Sequence, residues 1–79
     1  VQGAVTACFA SAGQLCESIE RIYVEDAVHD DFVAAFVEGT SRITLGVDPR
    51  WETRMGSLVS AEQLATVRRH IEDAVAQGA

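Results

Sequence analysis

Two cysteines, two histidines and a scatter of carboxylates are the side chains of this 79-residue sequence best suited to bond-making chemistry. Cys16 has the most suggestive setting. It stands in Gly13-Gln14-Leu15-Cys16-Glu17, after a run of small apolar residues and before a segment rich in β-branched and aromatic ones. Glycine permits a sharp backbone reversal. The Gln14 amide offers a polar anchor, and a thiol held on such a turn can face a cleft. A thiolate is a strong nucleophile even when only a small fraction is ionised. A backbone N–H beside it could stabilise the oxyanion formed by attack on a carbonyl. Glu17 works against this, because a carboxylate opposes an adjacent thiolate. The alternative is an inert, packed thiol, the commoner fate of a free cysteine. Cys8, inside the apolar run, is read that way.

A general base is harder to find. His29 opens an acidic stretch and His70 lies among charged residues. Both read as surface histidines, so a Cys/His hydrolase pair has little support. The two cysteines form no paired-ligand spacing, and no metal site is expected.

The elements that would position Cys16 follow from periodicity. Residues 1–12 repeat apolar side chains three or four apart and predict a helix, with Gly13 as its stop. Ile19 to Glu25 predicts a strand: Ile22, Tyr23 and Val24 favour one, and three large residues in succession suggest burial on both faces. Residues 27–44 predict a second helix with Val28, Phe32, Val33, Phe36, Val37, Thr40 and Ile43 on its apolar face, and Asp26 as its cap. Residues 46–59 predict a loop anchored by Trp51, Met55 and Leu58. Residues 60–77 predict a third helix, with a Ser60/Gln63 capping box, a stop at Gly78, and opposite-charge pairs Arg68–Glu72 and Arg69–Asp73. The order helix, strand, helix, loop, helix implies an α/β fold. A lone strand needs partners, expected from another part of a longer chain or another subunit.

Composition narrows the functions. The chain is 48% hydrophobic with a formal charge of -6 and no lysine. That excludes the clustered cations a nucleic-acid partner requires. No apolar run is long enough to span a membrane. The absence of a signal-peptide pattern and the sparse cysteines point to a reducing, cytoplasmic setting.

The same residues carry a resemblance. Phe9-Ala10-Ser11-Ala12-Gly13-Gln14-Leu15-Cys16 resembles the F-x-N-x-G-Q-x-C motif around the catalytic cysteine of the aldehyde dehydrogenase superfamily. Ser18 to Val24 is similar to the segment after that cysteine, Asp31-Phe32-Val33 to the family's D-E-F-V, and Met55 to Ser60 to its M-G-P-L-I-S. The wording is closest to the bacterial succinate-semialdehyde dehydrogenase branch. The resemblance implies that residues 1–79 are the first part of a catalytic domain, with a cofactor-binding domain elsewhere. It implies Cys16 as the nucleophile, NAD or NADP as cofactor, and oxidation of a small-molecule aldehyde to an acid through a thiohemiacetal and a thioester. The Cys16 backbone N–H would donate to the oxyanion. It implies further that the remaining parts of a parent polypeptide supply the general-base glutamate and the cofactor contacts. The full-length form would be a homo-oligomer, and the isolated chain inactive. The sequence departs from the pattern at Ser11 (asparagine in the family), Ser57 (proline), Arg54 (an acid) and Glu17. Those departures motivate a second reading, a non-catalytic homologue acting as a structural or interaction module.

Overall fold

The computed structural model describes residues 1–49 and 52–79. Three helices form: α1 (Gln2–Phe9), α2 (His29–Ser41) and α3 (Ala61–Ala76). The first helix thus ends at Phe9 and not at the expected stop Gly13, because Ala10 turns extended and a short left-handed turn, Ala10–Gly13, follows; a 3-10 turn, Asp26–Val28, leads into α2.

The helices follow the expected registers. α1 packs against α2. Phe9 meets Phe36 at 6.1 Å between ring centroids, and Phe36 stacks on Phe32 at 5.8 Å. Rings at such separations add to the burial they bring. Gly39 lies in the middle of α2, where it costs about 1 kcal/mol relative to alanine. A Cβ there would come 3.1 Å from Val5 Cγ2, so the missing side chain is what lets α1 approach.

α3 begins at Ser60, whose hydroxyl accepts from the Gln63 backbone N–H at 3.1 Å. That satisfies one of the orphan donors at the helix start. Ser60→Ala is expected to destabilise the first turn of α3 by about 1 kcal/mol, read as faster amide exchange over residues 61–64. Unchanged exchange would remove the cap's significance. α3 packs against neither other helix, and Leu64, Ile71 and Val75 on its apolar stripe are exposed.

Several expectations are corrected. The α/β assignment fails: among the described residues there is no β-strand, and the fold is all-helical. Residues 19–25 hold neither helix nor strand. A strand exists through a ladder to a second backbone, and here the reach across is a single bond, Ile19 N–H to Ala7 O in α1 at 3.3 Å. Burial on both faces fails with it, since Tyr23 is 87% exposed. The nearest approach to a sheet is an isolated parallel bridge between Leu45 and Met55. α2 is N-capped by Val28 with no side-chain cap, so Asp26 does not serve that role. The pairs Arg68–Glu72 and Arg69–Asp73 are not formed. Arg69 donates to Thr66 Oγ1 at 3.2 Å, and Asp73 accepts from Gln77 at 2.7 Å. Exposed ion pairs barely repay the side-chain entropy of holding them. An i,i+4 pair does form at the end of α2, between its C-cap Arg42 and Glu38.

The loop after α2 is pinned by Thr44. Its hydroxyl donates to Glu52 O at 2.9 Å and accepts from the Arg54 N–H at 3.1 Å, and its carbonyl accepts from the Met55 N–H at 3.1 Å. Of the expected loop anchors, Met55 and Leu58 are half-buried, and Trp51 lies outside the described residues. No described side chain is fully buried, so the helices enclose no core of their own. No helix is long and apolar enough to cross a membrane.

Candidate functional site

The cysteine turn is built in two steps. Ser11, Ala12 and Gly13 all have positive φ, at 51°, 58° and 72°. Glycine takes such angles freely, whereas a residue with a Cβ is disfavoured there by roughly 1–2 kcal/mol. The sequence signalled Gly13 but not the two residues before it. Asparagine tolerates the left-handed region better than most side chains, so the family's asparagine suits the angles that Ser11 occupies here. The Gln14 N–H closes this reversal on Ser11 O at 3.2 Å.

A second turn follows at once. The Ser18 N–H donates to Leu15 O at 3.0 Å, which leaves Cys16 and Glu17 as its two central residues. Both are exposed. Among the described residues no acceptor pairs with the Cys16 backbone N–H. Cys16 Sγ donates to Glu17 Oε2 at 3.1 Å.

Gln14 ties these turns to a distant loop. Its Nε2 donates to Ser11 O at 2.9 Å and to Ser57 O at 3.4 Å, while its Oε1 accepts from the Val59 N–H at 2.8 Å. One amide thus joins the cysteine turn to the stretch just before α3. The expected local anchor is a long-range clasp, and no local pattern could have revealed its partners 43 and 45 residues away.

A groove of about 500 Å³ runs beside the turn, lined by Gln2, Thr6 and Ala10 of the α1 side and by Leu15, Glu17 and Ser18, among others. Both sequence neighbours of Cys16 line it, while Cys16 itself stands at its edge and is not part of its lining. The Ser18 hydroxyl oxygen is buried and finds no partner among the described residues. Cys8 is half-buried and bounds a different, mostly apolar hollow with Phe9, Phe32 and His29. His29 Nδ1 lies 3.0 Å from Asp30 Oδ1, so the histidine is engaged on its own helix. His70 is exposed on α3. The described residues do not gather a Cys/His pair at Cys16, nor a group of three His, Cys, Asp or Glu side chains able to hold a metal ion.

The aldehyde dehydrogenase family model matches residues 1–79. A protein of Mycolicibacterium smegmatis, provisionally named an NADP(+) succinate-semialdehyde dehydrogenase, is 50% identical over 78 residues, covering 99% of this chain and 15% of that protein. A similarly named protein of Mycobacterium ulcerans is 47% identical over the same share. The betaine aldehyde dehydrogenase of Bacillus subtilis is 43% identical over 79 residues, covering 16% of its length. No solved structure matches at a significant level. The chain thus spans about 15% of the length of the curated relatives it matches. With the family model spanning residues 1–79, the cysteine turn included, the chain belongs to the aldehyde dehydrogenase family.

Proposed function

We propose that this chain is the cysteine-bearing part of the catalytic domain of an enzyme that oxidises an aldehyde to a carboxylic acid, with Cys16 as the nucleophile. The observation that carries the reading is Cys16 at the exposed corner of a double turn, its N–H without an acceptor among the described residues, in a stretch spanned by the family model. The thiol first loses its proton to a base expected from the rest of the parent polypeptide; the thiolate Sγ then bonds to the aldehyde carbon while the carbonyl π pair moves to oxygen, giving a thiohemiacetal alkoxide to which the Cys16 N–H would donate. NAD(P), the family's cofactor, supplies the hydride acceptor that turns such an adduct into a thioester for hydrolysis. The described residues contain no strand, glycine-rich turn and helix of the kind that cradles a dinucleotide, so no cofactor contact is assigned to them. The remaining parts of the parent polypeptide would bind the cofactor and complete the site, and the parent would be a homo-oligomer. The names of the mycobacterial relatives make succinate semialdehyde the first aldehyde to try.

The test is spectrophotometric. The full natural polypeptide containing this segment is expected to reduce NAD or NADP when given an aldehyde, and Cys16→Ala to abolish that signal. Absence of reduction with aliphatic, aromatic and charged aldehydes alike would overturn the reading in favour of a non-catalytic homologue, which Ser11 and Glu17 motivate.

A further inference from the structure

We infer that Glu17 selects the charge of the aldehyde: the thiol of Cys16 is matched to a cationic substrate, an aldehyde bearing an ammonium or trimethylammonium group, over one ending in a carboxylate. This rests on Cys16 being the nucleophile and narrows that reading to a substrate class.

Three observations carry it. Glu17 Oε2 accepts from Cys16 Sγ at 3.1 Å. An aldehyde carbon bonded to that sulfur lies one C–S bond further, within about 5 Å of the carboxylate, so a charged group a few bonds beyond it remains close enough to feel that charge. Second, Glu17 is the sole charged residue among those lining the groove beside the turn; its other walls are small, apolar or neutral polar. Third, Glu17 forms no ion pair among the described residues, so its charge is not cancelled by a neighbouring arginine. A substrate whose charged end sits a few bonds from the aldehyde stays within one Debye length of this carboxylate. An anionic tail is repelled from the site that must hold it, and a cationic tail is drawn in.

The experiment uses the full natural polypeptide and two readouts. In the first, Cys16 is labelled with trimethylammonioethyl and sulfonatoethyl methanethiosulfonate, and the two rates are resolved from Cys8 by peptide mass spectrometry. The cation-to-anion rate ratio is expected to fall about tenfold in Glu17→Gln, to persist in Glu17→Asp, and to shrink as salt is raised. In the second, kcat/KM is compared across three four-carbon aldehydes: 4-trimethylammoniobutanal, butanal and succinate semialdehyde. The wild type is expected to prefer them in that order, with the first-to-last ratio falling about tenfold in Glu17→Gln. A labelling ratio that Glu17→Gln leaves unchanged, or a wild-type preference for succinate semialdehyde, overturns the inference. A shifted labelling ratio with no oxidation of any aldehyde overturns the dehydrogenase reading instead.

Discussion

Cys16→Ala in the full natural polypeptide is expected to lower aldehyde-dependent NAD(P) reduction by on the order of 10⁴-fold or more, because removal of a nucleophile removes the covalent route itself. The fold is expected to be indifferent. Cys16 is exposed at a turn corner, and its sulfur makes one hydrogen bond, to the residue beside it. Surface substitutions away from caps, cores and strained backbone fall within about 0.5 kcal/mol of neutral. Cys16→Ser preserves the shape and is expected to fail as well, since a hydroxyl is a far weaker nucleophile than a thiolate at neutral pH. Cys8→Ala is the matched control. Cys8 is half-buried beside the phenylalanines, so its loss is expected to affect stability and spare turnover. Chemical denaturation beside the kinetic assay separates the two cysteines. Undiminished turnover in Cys16→Ala would assign the chemistry to another group.

Gln14→Ala is expected to have the next largest effect, about a 10²-fold loss in kcat with little change in KM. Small displacements of a reacting atom carry penalties of that order. The substitution deletes bonds to Ser11 O, Ser57 O and the Val59 N–H together, leaving the cysteine turn untethered from the loop before α3. Each is an exposed hydrogen bond worth on the order of 1 kcal/mol at most, so the melting temperature is expected to drop by only a few degrees. Gln14→Glu is expected to do no better than alanine: it can still accept from Val59, but it faces two carbonyl oxygens with a carboxylate. If kcat is unchanged in the folded enzyme and stability alone declines, Gln14 is a structural brace with no hold on the sulfur.

The helices and the cysteine turn were legible in the sequence because they are locally encoded. The helical periodicity within residues 28–43, the Ser60 cap, the glycine stop at Gly78 and the cysteine on a tight turn all reappear, whereas the first helix ends at Phe9, four residues before the expected stop at Gly13. Residues 19–25 were misread because β-branched and aromatic side chains report a preference for pleated surroundings, while a ladder needs a second backbone that these residues do not meet. Ser11 and Ala12 carried no hint of positive φ, since neither residue type prefers it. The Gln14 clasp and the Thr44 clamp were invisible for a different reason: polar side chains announce their capacity for hydrogen bonds, and their partners are chosen by the path of the chain.

The left-handed run before Cys16 has a genetic corollary. Ser11 and Ala12 hold angles that cost each of them roughly 1–2 kcal/mol, and the Gln14 amide is among the few groups holding them there. Positions 12 and 14 are therefore epistatic. Ala12→Gly relieves the strain and is expected to act as a suppressor, recovering part of the turnover lost in Gln14→Ala while changing the wild type little; equal effects in both backgrounds would deny the coupling. A lineage that first acquires glycine at position 12 can discard the amide afterwards, whereas the reverse order passes through an intermediate whose nucleophile is slack.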